Sequence, residues 1–299
     1  MKKILVLVLC LCAYSMSFAQ TSESKKSAFQ LSFVSPLGTN GLQSSKYTNT
    51  VSLNLLVGIS KNEKAFALGG LSNVTLNDAK GVQMAGLSNY VGNDGRGLQL
   101  AGLANVNKGR FTGFQFAGLV NIAKEVKGVQ FAGLINIAED SDCPIGLINI
   151  IKNGEKSIAV TYDGIGNAVA SFRSGGKYTY GILGVGYNHK MNNHNLVAEA
   201  GLGAHIPVMK WFRINNEIKF SSIGCDSSKP VFNVGYSLLP AFKLGKHFEL
   251  FGGVSINYME SKNKDAKNIF PNHSLWKNYG ATRLQQCYIG YQAGVQYIF

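Results

Sequence analysis

Gly128-Val129-Gln130-Phe131-Ala132-Gly133-Leu134-Ile135-Asn136-Ile137-Ala138 is the stretch whose reading decides the fold. Counted outward from Gly133, the residues two and four away on either side are apolar: Phe131, Val129, Ile135 and Ile137. Those three away are the carboxamides Gln130 and Asn136. Alternation with period two is the mark of a β-strand, whose successive side chains point to opposite faces. One face therefore carries Val, Phe and Ile, and the other Gln, Ala, Leu and Asn.

The same pattern recurs along the chain. Copies centre on Gly70, Gly86, Gly102, Gly118, Gly133 and Gly146, spaced 16, 16, 16, 15 and 13 residues apart. The last copy, Cys143 to Asn149, is degenerate and has Cys143 where the others have Gln. Turn-forming stretches such as Gly92-Asn93-Asp94-Gly95 and Asn107-Lys108-Gly109-Arg110 separate the copies.

Two architectures suit such a repeat. In an antiparallel meander each copy is one strand, and because the motif is nearly palindromic, reversed neighbours present the same faces. Opposed side-chain amides then hydrogen-bond around one face. In a β-solenoid each copy is one coil, with the glycines at corners. The palindrome favours the meander.

From Ser157 the repeat fades but the alternation continues. Phe212, Ile214, Ile218 and Phe220 share one face, and Arg213, Asn215, Glu217 and Lys219 the other. Such strands reach the length of about nine to eleven residues that spans a membrane. The ending Tyr291 to Phe299 alternates aromatic and aliphatic residues and closes on Phe299, as in a strand read by barrel insertion machinery. Long connections (His189–Asn195, Ser222–Pro230, Glu260–Gln285) alternate with short ones (Pro207–Lys210, Gly245–His247), the habit of membrane barrels. Phe29–Phe33 and Val51–Leu55 read as two further strands.

The expected fold is thus all-β, an antiparallel meander closed as an outer-membrane β-barrel of about 16 strands. The alternative is a solenoid of repeats followed by a barrel of about 8 strands over residues 157–299.

The beginning of the chain predicts export. Lys2 and Lys3, the apolar run Ile4 to Cys12 and the small-x-small sequence Ser17-Phe18-Ala19 form a signal-peptide pattern, with cleavage expected after Ala19. The expected organisation is a signal peptide over 1–19 and a barrel over 20–299, which contains the repeat region 65–151. The run is too short for a membrane helix. Leu9 and Leu11, rather than small residues, precede Cys10 and Cys12, which disfavours lipid attachment. Without Lys2 and Lys3, 27 basic residues face 16 acidic ones, a balance of about +11. For an exported chain this points to anionic lipid or acidic glycan rather than nucleic acid. Cys143, Cys225 and Cys287 remain, with no metal-ligand spacing; on the meander topology all three fall on the outer side.

The repeated G-[VLF]-Q-[VLMF]-A-G-L-x-N unit, over about Ala65 to Ile151, resembles that of the bacterial surface-repeat proteins. Phe29–Gly38, Trp211–Glu217 and Tyr291–Phe299 look like the flanks of such proteins. The resemblance implies a surface or outer-membrane location and carries no catalytic residues onto this chain.

No nucleophile elbow, zinc motif or phosphate loop occurs, so no enzyme activity, cofactor or metal is expected. The candidate lumen residues are Gln83, Gln99, Gln115, Gln130, Asn89, Asn105, Asn121 and Asn136, together with Arg213, Glu217 and Lys219. Charges of both signs inside a barrel either seal it or tune a pore. Phe270, Trp276 and Tyr279 are the loop-binding candidates. The leading functional expectation is a structural or passive-pore outer-membrane barrel, with outer-membrane lipid and insertion machinery as partners. A surface binding module using the 260–285 loop is the alternative. A lipid-modifying enzyme built on His205 stands third, because nothing near it in sequence supplies a nucleophile.

Overall fold

The computed structural model describes residues 24–191, 193–262, 264–280 and 282–299. The expected signal peptide lies outside the described residues. No described helix is long and apolar enough to cross a membrane.

The repeats are coils of a solenoid, which corrects the expectation of a single barrel of about 16 strands. Each copy bends at its central Gly-Leu step into a long arm and a short arm, as in Gly95–Ala101 and Ala104–Asn107. The long arms stack in parallel within one nine-stranded sheet and the short arms within a seven-stranded sheet. Register is strict: Gln99 lies beside Gln83 and Gln115, and Asn105 beside Asn89 and Asn121. Like therefore stacks on like, whereas the meander would have set Gln against Asn.

The corner glycine explains the choice. A Cβ on Gly102 would lie 2.1 Å from the Gly86 carbonyl oxygen, and one on Gly118 equally close to that of Gly102. Coils can approach only where the side chain is absent. The palindrome suits this arrangement too, since both arms then send their carboxamides inward.

Phe29–Phe33 and Val51–Leu55 belong to this stack rather than to a barrel. They fall in the parallel strands Lys25–Val34 and Tyr47–Asn54, with Leu55 just past the end of the second. Gln30 and Asn54 face inward and hydrogen-bond each other at 3.1 Å, and Asn54 donates to Asn73 at 3.2 Å. The same inward amide row thus begins upstream of the recognisable repeats.

Residues 156–298 form an eight-stranded antiparallel barrel, the number expected of this half. Its strands are Lys156–Asp163, Asn167–Gly175, Thr179–Asn188, Leu196–Met209, Phe212–Ile223, Val231–Leu244, Phe248–Ser261 and Leu284–Ile298. The first and last close it, with Ser157 opposite Ile298 and Asp163 opposite Gln292. The turns 176–178, 210–211 and 245–247 sit at one rim, and the turn 164–166 at the other. At the other rim are the connections 189–195, 224–230 and 262–283, the last containing a short strand, Trp276–Tyr279, paired with Leu284–Cys287.

The last coil docks on the short-turn rim. The Asn149 side-chain amide donates to the Ser174 carbonyl and its backbone N–H to the Ser174 hydroxyl, both at 3.0 Å. Thr179 donates to the Pro144 carbonyl at 2.7 Å. Pro144, rather than Cys143, occupies the register position beside Gln130, so the Gln row ends where the neighbour becomes the barrel. The three cysteines are free. Cys143 lies at the short-turn rim, away from Cys225 and Cys287, because its coil docks there.

Candidate functional site

Both halves of the molecule carry polar side chains inside, and in the solenoid these lie beside a small apolar cluster of Phe111, Val126 and Ile151. Inside the solenoid, Gln83, Gln99, Gln115 and Gln130 form a fully buried ladder with bonds of 2.6, 2.8 and 3.1 Å. Asn73, Asn89, Asn105, Asn121, Asn136 and Asn149 form a second ladder with bonds of 2.9–3.1 Å. Asn89, Asn105 and Asn121 also donate to a long-arm carbonyl of the next coil, each at 2.8 Å. Both N–H groups and the oxygen of these amides are thereby used, which is what burial of a carboxamide demands. The eight amides expected to line a lumen therefore fill the closed solenoid and face no channel. Outward, the same strands carry Leu98, Phe114, Leu100, Phe116 and Phe131, with Phe116 and Phe131 stacked at 5.1 Å.

The barrel interior is layered. Next to the solenoid, Arg213 donates to both oxygens of Glu155 at 2.7 and 2.9 Å and contacts Glu249 at 2.7 Å. Asn215 and Gln296 also donate to Glu249. Burial pushes the Glu155 carboxyl up, but the Arg213 bond, with His205 and Lys243 nearby, more than reverses this and holds it below its ordinary value. Further in, Glu217 accepts from Tyr180 at 2.8 Å and pairs with Arg173 at 2.8 Å. Lys219 reaches Glu199 at 3.2 Å. The Arg173 guanidinium also lies over the Phe251 ring at 4.6 Å.

Above this layer lies a cavity of about 20 Å³ between Glu199, Lys219, Asn233, Asn257 and Gln292. That is room for about one water molecule. The long-loop rim is stoppered by Val169, Val197, Ile223, Met259, Ile269, Phe270 and Tyr288, all buried. Arg213, Glu217 and Lys219 thus face the interior, where they are joined by ion pairs and filled around by packed side chains rather than bordering a water column. An eight-strand interior just wide enough for side chains has this character.

His205 is buried, bonded to Asn215 at 2.8 Å, stacked on Tyr180 at 4.4 Å and 3.5 Å from Glu155. No serine, threonine or cysteine is among these partners, and the Tyr180 hydroxyl is donated to Glu217.

Of the loop candidates, Phe270 is part of the stopper, whereas Trp276 and Tyr279 are exposed, together with Leu275 and Lys277. Lys267 lies over the Tyr279 ring at 5.8 Å. The stopper holds the base of the loop to the barrel, and the Trp276–Tyr279 strand is paired beside the last barrel strand, so the aromatic tip is presented on a fixed support.

Arg173, Glu155, Glu199 and Glu249 also belong to the charged interior and were not singled out from the sequence. Alternation puts Glu249 on a polar face, but only the pairing register brings it to Arg213. The barrel exterior is apolar, with Ile158, Val160, Ile218, Phe220, Leu250, Val254, Ile256 and Ile289 all exposed. Trp211, Phe212 and Phe242 cluster at the short-turn rim, as do Phe248, Tyr297 and Phe299.

No family model matches the chain, and no curated protein or solved structure is significantly similar to it. The repeat is a solenoid coil and the architecture all-β, consistent with a structural or surface role; the surface-repeat resemblance rests on its motif alone.

Proposed function

We propose that this chain is an outer-membrane surface protein whose sealed barrel is its anchor and whose loop, residues 260–285, is its binding element. The observation that carries the reading is the inverted barrel: ion pairs and amides within, Phe, Ile, Val and Leu without. In water such an exterior costs about 25 cal/mol per Å² of apolar surface left exposed. In hydrocarbon it costs nothing, and the closed sheet leaves no unpaired strand edge. The aromatic clusters at the short-turn rim suit a girdle at the membrane interface. Long loops then face outward and the solenoid lies on the periplasmic side.

The loop chemistry favours an acidic glycan. Trp276 and Tyr279 offer flat apolar faces to sugar rings, and Lys277 and His273 stand exposed beside them to take carboxylate or sulfate groups. The test is binding of the full-length protein in detergent to immobilised uronic-acid and sulfated glycans. Trp276→Ala and Tyr279→Ala are each expected to weaken binding at least about tenfold, the size of a modest hot spot. Wild-type protein that binds neither class, or variants that bind as well as wild type, would remove the binding reading.

A further inference from the structure

An open groove of about 590 Å³ crosses the short-arm sheet of the last coils and runs to the first residue of the barrel. Its floor is Val106, Ile122, Ile137 and Ile150. Along its border stand Lys108, Lys124, Lys152 and Lys156, with Glu139 the one acidic residue among them. Among the described residues none of these four lysines is in an ion pair. Elsewhere on the solenoid Arg110 does find Glu125, at 2.7 Å.

We infer that this groove holds an anionic phospholipid, an acyl chain lying on the isoleucines and the phosphate among the lysines. Two observations select this occupant. Four cations without carboxylate partners, against the single carboxylate of Glu139, border an apolar floor, the combination that a lipid phosphate with its chain complements. The groove also continues, through Lys156, into the outward row Ile158 and Val160 of the barrel wall, at the short-turn rim. There, on the reading proposed above, the barrel meets the headgroups of the periplasmic leaflet. A second copy of the chain would bring lysine rows toward each other, and free phosphate would leave the isoleucine floor in water.

The inference rests on the membrane-anchor reading, so the experiment separates the two. Full-length protein is inserted into phosphatidylcholine vesicles, and insertion is checked by heat-modifiable gel mobility. In detergent, native mass spectrometry then measures retention of added phosphatidylglycerol. One phosphatidylglycerol should be retained in preference to phosphatidylcholine and should resist competition by inorganic phosphate. In Lys108→Gln/Lys124→Gln/Lys152→Gln retention should fall ~100-fold, since each lysine near an anionic headgroup is worth about fivefold. Ile137→Asp should abolish it with all lysines in place. Inserted protein whose triple variant retains phosphatidylglycerol like wild type overturns the inference and leaves the anchor standing. Displacement by inorganic phosphate overturns it too, as does a dimer dissolved by Ile137→Asp. A wild-type chain that stays soluble without detergent and never inserts removes the anchor reading and the inference with it.

Discussion

Replacing Asn105 by leucine removes the middle rung of the asparagine ladder while keeping the side chain's branching and number of heavy atoms. Asn89 loses the acceptor it holds at 2.9 Å, and the Asn121 side-chain oxygen loses the donor it holds at 3.0 Å. Both partners are fully buried, so neither recovers the bond from water. Each orphaned buried group costs ~1–3 kcal/mol, which puts the gross loss at ~2–6 kcal/mol. The leucine returns little, because its neighbours at that level are amides rather than apolar groups. A net loss of about 3 kcal/mol is expected, enough to open the central coils before the barrel unfolds. The assay is pulsed trypsin digestion across a urea series, since Lys108, Arg110 and Lys124 stand exposed at the coil corners. The central coils should become cleavable at lower urea than in wild type, while the barrel fragment survives. A shift equivalent to less than about 0.5 kcal/mol, the size of an ordinary surface substitution, would refute the claim that the amide ladder holds the coils together.

Three further outcomes follow from the same geometry. Burial pushes the Glu63 carboxyl up to about 7, against hydrogen bonds from Ser60, Ser52 and Asn49. The folded state therefore holds a proton that the unfolded chain releases near 4.5, and solenoid stability should be highest below pH 4.5 and fall as pH rises toward 7, by ~3 kcal/mol in all. Glu63→Gln should flatten that slope, and an unchanged pH profile in urea unfolding would count against the buried carboxyl. Arg213→Met strips two carboxylates of their cation and should lower barrel stability by ~3–5 kcal/mol, read as a lower temperature for loss of the compact gel band. Adding Glu249→Gln should restore part of that, and no recovery would deny the pairing. Finally, the wild-type protein should be silent in planar bilayers, because the packed interior offers no continuous water path; steady ohmic conductance would contradict the sealed interior.

Much was legible in the chain before folding. The period of about 16 residues, the amide face opposed to the apolar face, and the eight alternating strands after Ser157 all follow from local spacing, because side-chain direction along a β-ribbon depends only on residue parity. That Arg213, Glu217 and Lys219 share one face follows for the same reason. Parity is silent on which ribbon lies beside which. A near-palindromic strand satisfies its amides equally well against a reversed neighbour or against the next copy of itself, so Gly128 to Ala138 is compatible with both a meander and a coil. The tertiary structure decided between them through a non-local contact: the Gly102 α-carbon lies so close to the Gly86 carbonyl that only stacked corners account for the glycine. Register likewise decided that Arg213 meets Glu155 and Glu249, and that Phe270 stoppers the barrel while Trp276 and Tyr279 face out. Those outcomes depend on distances between residues 9 to 58 positions apart, which no local pattern encodes.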